Sequence, residues 1–245
     1  MIKIWAYGDS FVAGDQDDPK RIDAIPEIME YNRYNFSFAA HLAKNLGIDI
    51  INRAISGCSN FVQLDKLFKD AASIAQDDIV IFGISSPLRD RFQIPLNYPE
   101  FVKDTRGPTL GDRDLFSKKN IHCVPTVDMF YLLSSIEKIE KLYNIKIIKI
   151  NAFHNFMEDC PLEETHKFQF ANYLGLNKPN NTLLDVLIDN WLGTKKLATK
   201  DHNKWTPPEE YKIYFTRKSH PSAEGHKKIA IWMYERLKND YNYPI

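Results

Sequence analysis

The chain has 245 residues, and its 32 Lys and Arg residues balance its 32 Asp and Glu residues, so its formal net charge is +0. That balance argues against a nucleic-acid-binding protein that relies on overall positive charge. The hydrophobic fraction of 44% is enough for a sizeable core. We therefore expect residues 1–245 to form one α/β domain.

The cysteines and the N-terminus indicate where such a protein works. Cys58, Cys123 and Cys160 are an odd number of cysteines without zinc-type spacing, which predicts a reducing compartment and no disulfide framework. No basic segment followed by an apolar run opens the chain, so we expect no signal peptide. No apolar run approaches the roughly 20 residues that span a bilayer. These features predict a soluble, cytoplasmic protein.

Predicted strands and helices alternate along the chain. Apolar runs predict strands at 2–7, 48–52, 79–83 and 146–153. Apolar residues at helical spacing predict helices at 39–46, about 61–75, about 126–143, near 183–192 and 223–237. This alternation is typical of a mainly parallel sheet covered on both faces. We predict a flavodoxin-like three-layer α/β/α sandwich.

Three stretches lack a regular core pattern. Residues 12–25 are polar and rich in Asp, which predicts a loop over the mouth of a crevice. The stretches at about 86–125 and 154–210 are irregular, and the first contains several Pro and Gly residues. We interpret both as insertions on the same domain.

A short polar motif, Gly8-Asp9-Ser10, follows the first predicted strand. A serine on a tight turn at the carboxyl end of a parallel strand faces the crevice where open α/β sheets bind ligands. Such a turn exposes Oγ, and nearby backbone N–H groups can receive developing negative charge. We expect Asp9 to hold the turn through hydrogen bonds to the backbone rather than to react.

Other polar or small residues follow the later strands. Gly57 comes after the second strand, Ser85 comes after the third, and His220 lies just before the last helix. The carboxyl ends of the strands in a doubly wound sheet meet at one crevice. We therefore expect Ser10, Gly57, Ser85 and His220 to lie near one another.

This ordered set resembles the SGNH hydrolases, also called the GDSL esterase/lipase superfamily. Gly8-Asp9-Ser10-Phe11 matches the first block of that family, Gly57 matches the second, and His220 with its following helix is similar to the last. The resemblance implies acyl transfer with Ser10 as nucleophile and His220 as general base. It also implies an oxyanion hole made by the backbone N–H groups of Ser10 and Gly57.

The chain departs from the family pattern at two positions. Ser85 stands where the family has an asparagine, and a hydroxyl there could act as a third, weaker oxyanion donor. Arg217, three residues before His220, stands where the family has an aspartate, and a cation cannot orient an imidazole or stabilise an imidazolium. Either Ser10 and His220 act as a dyad, or a group from elsewhere helps. The candidate carboxylates are Asp201, Glu209 and Glu224.

Other reactive side chains carry no function in this interpretation. Cys58 beside the predicted oxyanion hole is expected to be a small buried hydrophobe. His226, on the last helix, is expected to be structural. The remaining histidines in the insertions lack metal-ligand spacing, so we predict neither a metal nor a cofactor; they are His122, His154, His166 and His202.

These residues predict a serine esterase or deacylase that hydrolyses a small or carbohydrate-linked ester. Its partner would be that small-molecule or carbohydrate ester, with no nucleic acid and no membrane. One alternative is a catalytically inactive SGNH-like protein that uses the crevice for binding, which Arg217 and Ser85 favour. Another is an acyltransferase that uses the same serine. A nucleotide-binding protein is disfavoured because the chain has no glycine-rich phosphate loop.

Overall fold

Four parallel strands form the sheet of the computed structural model, in the order β2-β1-β3-β4. The strands are β1 (Lys3–Tyr7), β2 (Asp49–Asn52), β3 (Ile79–Ile84) and β4 (Ile147–Asn151). The structure describes residues 1–14, 26–85, 124–151, 182–188, 207, 209–216, 220–241 and 243. All four predicted strands are confirmed, within three residues at each end.

The strand register brings the ends of the strands to one edge of the sheet. Ala6 of β1 is level with Asn52 of β2 and Ile81 of β3, and Ile84 is level with Asn151. Strand order runs outward in opposite directions from β1 and β3, so the crevice of such a sheet lies between those two strands. The residues that follow β1 and β3 therefore flank the crevice.

Helices cover the sheet and supply the short segment that carries the serine motif. They are α1 (Ser10–Ala13), α2 (Pro26–Asn35), α3 (Phe38–Leu46), α4 (Asn60–Asp70), α5 (Val124–Tyr143), α6 (Leu183–Leu187) and α7 (Ala223–Asn239), with 3-10 turns at Ala71–Ser73 and Glu209–Tyr214. Serine side chains cap the amino ends of three described helices: Ser37 is the N-cap of α3, Ser59 that of α4 and Ser222 that of α7.

Each face of the sheet has its own apolar core, because alternate side chains of a strand point to opposite faces. Ile4 and Ala6 of β1 pack in one core, with residues of α3, α6 and α7. Trp5 and Tyr7 pack in the other core, with residues of α4 and α5. The predicted three-layer α/β/α arrangement with a parallel sheet is confirmed.

The predicted loop over 12–25 is wrong at its start, because Val12 and Ala13 are the last residues of α1. Helix α2 was not predicted, since its sequence PEIMEYNRYN has few aliphatic residues and no clear apolar stripe. Most of the two predicted insertions lie outside the described residues, at 86–123, 152–181 and 189–206. Of the described helices, none is both long enough and apolar enough to cross a bilayer.

Candidate active site

Ser10 is the first residue of a four-residue helix, α1, that begins directly after β1. Asp9 is the N-cap of this helix, and its Oδ1 accepts a hydrogen bond from the Phe11 backbone N–H at 3.1 Å. The predicted tight turn is thus the first turn of a helix, and the predicted bond from Asp9 to the local backbone is present. At the other end, Gly14 closes the helix in the left-handed conformation, with φ of 78°.

Gly8 allows α1 to approach the sheet. Its φ is +153°, and a Cβ at this position would collide with the side chain of Val12. A side chain at Gly8 would therefore push α1 away from the end of β1. The glycine of the sequence motif is required by this close approach, whatever chemistry Ser10 performs.

The Ser10 hydroxyl is buried and makes no hydrogen bond to any residue that the structure describes. The residue is 1% exposed, and its Oγ lies among the buried side-chain atoms that lack a partner. A buried hydroxyl normally finds a partner, because leaving it unpaired costs about 1–3 kcal/mol. A buried hydroxyl without a partner needs an explanation, and a catalytic role is one such explanation.

Ser85, at the end of β3, has a different contact from the one predicted. Its hydroxyl donates a hydrogen bond to Asp9 Oδ2 at 2.7 Å. A hydroxyl has one proton to give, so this bond cannot coexist with donation to an oxyanion. The role of Ser85 as a third oxyanion donor stays a prediction, and it would require the bond to Asp9 to break first. In this structure Ser85 instead binds the residue that caps the serine helix.

The side chain of Asn60 makes two hydrogen bonds to the backbone of Ser85. Its Oδ1 accepts from the Ser85 backbone N–H at 2.7 Å, and its Nδ2 donates to the Ser85 carbonyl at 3.1 Å. Asn60 is 1% exposed and is the first residue of α4. Sequence reasoning missed it. The available signal was an asparagine just after a capping serine, in a loop of small residues at the end of a strand.

Gly57 lies in a loop that is hydrogen-bonded to the end of β1. The Arg53 backbone N–H donates to the Ala6 carbonyl at 2.7 Å, and that of Ile55 donates to the Gly8 carbonyl at 3.0 Å. Gly57 has φ of +71° inside the turn that the 3.1 Å bond from Cys58 N to the Ile55 carbonyl closes. The loop therefore lies beside the serine motif, and the backbone N–H of Gly57 as an oxyanion donor remains a prediction.

Cys58, the next residue, is a buried free thiol. Burial raises its pKa, which disfavours the reactive thiolate. The prediction of a small buried hydrophobe is confirmed.

Asn52, the last residue of β2, ties the serine helix to the Gly57 loop. Its Nδ2 donates to the Val12 carbonyl at 3.1 Å and to Ser37 Oγ at 3.2 Å. Its Oδ1 accepts from the Ala54 backbone N–H at 3.0 Å. One buried carboxamide thus bonds to the carboxyl end of α1, the start of α3 and the loop that carries Gly57. Its position at the end of a predicted strand was the only sequence signal for this role.

His220 packs against the residue that follows Ser10. Its imidazole meets the Phe11 ring edge-on, with the ring centroids 5.8 Å apart and the planes at 84°. The Thr216 backbone N–H donates to the His220 carbonyl at 2.8 Å, and Thr216 Oγ1 accepts from the His220 backbone N–H at 3.2 Å. This local turn brings a half-buried histidine, from near the end of the chain, to the serine segment.

The candidate partners of His220 are described only in part. Arg217 and Asp201 lie outside the described residues. Glu209 and Glu224 are exposed, and they form ion pairs with Lys212 and Lys227 respectively.

His226, in the first part of α7, is fully buried. Its Nδ1 accepts a hydrogen bond from the Phe38 backbone N–H at 3.2 Å, and its ring stacks on Phe38. Burial, together with the nearby His41 and His220, lowers the pKa of His226 to about 3. A neutral imidazole that accepts at Nδ1 carries its proton on Nε2. The predicted structural role of His226 agrees with these contacts.

Within the described ranges, no three His, Cys, Asp or Glu side chains cluster closely enough to hold a metal ion. The histidines at 122, 154, 166 and 202 lie outside those ranges. At the crevice, the described residues present a hydroxyl, an imidazole, a carboxylate and backbone amides.

Neither the scan against protein-family models nor the search of curated proteins found a match. A comparison with solved structures, however, found similar folds at low sequence identity. A protein of the G-D-S-L lipolytic family from Desulfitobacterium hafniense DCB-2 aligns with a TM-score of 0.50 and 16% identity, over 96% of this chain and 99% of that one. A family two carbohydrate esterase from Clostridium thermocellum, solved with cellohexaose, aligns with a TM-score of 0.47 and 15% identity, over 99% of this chain and 65% of that one.

Proposed function

Because the chain has the fold of the SGNH hydrolases, we propose that it is a serine esterase or deacylase that hydrolyses a small or carbohydrate-linked ester. One observation carries the proposal. The Ser10 hydroxyl is buried and unpartnered among the described residues, at the start of a helix beside the sheet's crevice. Its neighbour Phe11 contacts the imidazole of His220.

The proposed reaction begins with proton transfer from Ser10 Oγ to the imidazole of His220. The hydroxyl oxygen attacks the ester carbonyl, and the backbone N–H groups of Ser10 and Gly57 stabilise the tetrahedral oxyanion. When the tetrahedral intermediate collapses, the alcohol leaves with the proton from His220. Water then attacks the acyl-enzyme with His220 as base, which releases the acid and restores Ser10.

Two features of Ser10 support its role as the nucleophile. No described acceptor competes for the proton of the Ser10 hydroxyl, so that proton is available to a base such as the imidazole of His220. Burial also excludes bulk water from the nucleophile, which strengthens the electrostatic contribution of nearby backbone dipoles.

The test combines an ester assay with active-site labelling. We expect the wild-type protein to hydrolyse p-nitrophenyl acetate and acetylated sugars, and a fluorophosphonate probe to label Ser10, as read by peptide mass spectrometry. Ser10→Ala should abolish both signals. His220→Ala should reduce both by about 10²–10⁴-fold, the usual contribution of a general base. Ser73→Ala, at an exposed serine, is the matched control and should match wild type. Equal hydrolysis by all four proteins would overturn the proposal.

Arg217 favours a second candidate, a crevice that binds sugar esters without cleaving them. In that case the fluorophosphonate would leave Ser10 unlabelled, while calorimetry would detect binding of an acetylated oligosaccharide.

An acyltransferase, the other alternative, would label Ser10 as the esterase does. It would differ in its products, since adding a sugar acceptor would divert the acyl group from water to that acceptor. Product analysis with and without the acceptor separates these two activities.

A further inference from the structure

A buried chain of hydrogen bonds links α4 and the end of β3 to the start of the serine helix. Asn60, at the start of α4, holds both backbone groups of Ser85 at 2.7 and 3.1 Å. The Ser85 hydroxyl, at the end of β3, holds Asp9 Oδ2 at 2.7 Å. Asp9 Oδ1 in turn holds the Phe11 backbone N–H at 3.1 Å. We call Asn60, Ser85 and Asp9 the clamp; each is at most 2% exposed.

The serine helix needs such external support. Helix α1 has four residues, far fewer than the roughly 12–15 at which an isolated helix becomes even marginally stable. Its position is therefore set by its contacts with the sheet and with neighbouring helices. Asn52 holds its carboxyl end through the Val12 carbonyl, and the clamp holds its amino end, where Ser10 lies.

The clamp is also well suited to give a single geometry. Asn60 bonds to both the N–H and the C=O of Ser85, which fixes the orientation of that residue's backbone at the strand end. The bond from Ser85 to Asp9 is a charge-assisted hydrogen bond, a class that is shorter and about twice as strong as a neutral one. Because all three side chains are buried, little water competes for these bonds.

We propose that Asn60, Ser85 and Asp9 are positioning residues that set the location of Ser10 Oγ for attack. This inference rests on the proposed esterase function, because it assigns the clamp a role in that reaction. Ser85 acts here through Asp9 and not as a donor to the oxyanion. The family's asparagine position is thus occupied by a residue that orients the nucleophile.

The consequence is a loss of rate without a matching loss of substrate binding. A displacement of about 1 Å in a reacting group can cost on the order of 10²-fold in rate. Removing the Ser85 hydroxyl removes its hydrogen bond to the Asp9 carboxylate. That bond connects the amino end of α1 to the end of β3. Substrate binding outside the reacting centre does not depend on that bond.

The experiment uses the whole chain and a graded series at Ser85. Ser85→Cys keeps the size of the side chain but has a weak donor, and Ser85→Ala has none. We expect kcat for p-nitrophenyl acetate to fall in the order wild type, Cys, Ala, by about 10–100-fold at Ala, while KM changes by less than about threefold. Thr182→Ala is the control, since Thr182 is a buried helix cap that bonds to Asp185 and not to Asp9.

Hydrogen exchange provides a readout that needs no activity. We expect exchange of the Phe11 and Val12 amides to rise by about tenfold in Ser85→Ala and to stay at the wild-type rate in Thr182→Ala. If Ser85→Ala does not fold, the milder Ser85→Cys gives both measurements.

The outcomes separate the clamp from the esterase proposal. Loss of kcat with unchanged exchange would overturn the clamp and favour Ser85 as a direct oxyanion donor. Faster exchange with unchanged kcat would also overturn it, as would no change in either. If wild type neither hydrolyses esters nor labels at Ser10, the esterase proposal fails, and the exchange data still show whether Ser85 holds α1.

Discussion

The two halves of the candidate site are held in different ways. Ser10 is surrounded by buried side chains from distant parts of the chain, with Ser85 on Asp9 and Asn52 on the Val12 carbonyl. His220 is held by a local turn, through two bonds with Thr216 and a bridge between Phe215 and Pro221. The serine half is therefore held by long-range bonds between buried side chains, whereas the half-buried His220 is held by local bonds next to the buried residues Phe215 and Pro221.

This difference predicts how each half responds to mutation. Buried polar networks are costly to break, because each group left without a partner stays desolvated. A half-exposed side chain on a local turn can be removed with little effect on folding, since water replaces its contacts. Substitutions of the buried, hydrogen-bonded side chains in the serine half should therefore change stability as well as activity, whereas removal of the His220 imidazole should change activity alone.

Removing the imidazole gives the largest expected effect. His220→Ala should lower kcat by about 10²–10⁴-fold, because it removes the proposed general base. Its Tm should stay close to that of wild type, since His220 is half-exposed and its backbone bonds do not need the ring. Ile213→Ala, at an exposed residue of the same segment, is the control and should leave both quantities unchanged. A Tm that falls with kcat would show that the histidine half is also structural.

In the serine half, substitution of Asn52 should lower the stability of the protein. Asn52→Leu removes the donor to Val12 and the acceptor for Ala54, so we expect the free energy of unfolding to fall by about 3 kcal/mol. Asn45→Leu, at an exposed position of α3, is the matched substitution and should change stability by less than about 0.5 kcal/mol. Urea unfolding measures both. Equal effects would contradict the description of Asn52 as a buried connection.

A pH series tests the burial of His226. His226 is neutral in the folded protein, with a pKa of about 3 that lies below the ordinary value of 6.5. Below pH 6.5 the unfolded chain therefore binds a proton that the folded protein excludes. The stability that is present above pH 6.5 is lost toward pH 3, at about 1 kcal/mol per pH unit from this group.

His226→Gln tests that effect, because its Oε1 can accept from the Phe38 N–H without titrating. Its unfolding free energy should fall less steeply than that of wild type between pH 6.5 and pH 3. Curves that run parallel would assign the acid sensitivity to other groups.

The sheet and the serine position could be predicted because they depend on local patterns. The continuous apolar run of β3 is typical of a strand buried on both faces, and Gly8-Asp9-Ser10 marks the break after β1. The Ser85–Asp9 bond could not be predicted in the same way. A hydroxyl at a strand end has the same local sequence whether it faces a substrate or a carboxylate 76 residues away.

The contact of His220 with Phe11 could be predicted only in part. The order of strands and helices predicts that the two segments share one edge of the sheet. The placement of the imidazole, however, depends on the bonds between Thr216 and His220 and on the bridge between Phe215 and Pro221, which have no strong sequence signal. Helix α2 was missed for a related reason, because its tertiary contacts, and not its apolar pattern, stabilise it.

The smallest expected effect is that of Ser10→Ala on the free energy of unfolding, and it distinguishes a reactive serine from a structural one. Ser10→Ala removes a buried hydroxyl that has no described partner, so we expect the unfolding free energy to stay equal or to rise by up to about 1 kcal/mol. Ser37→Ala removes a buried capping hydroxyl and should lower it by about 1 kcal/mol. A gain in stability with a complete loss of labelling at Ser10 is expected if an unsatisfied group is kept for catalysis. A loss at Ser10 similar to that at Ser37 would instead show that the Ser10 hydroxyl is structural.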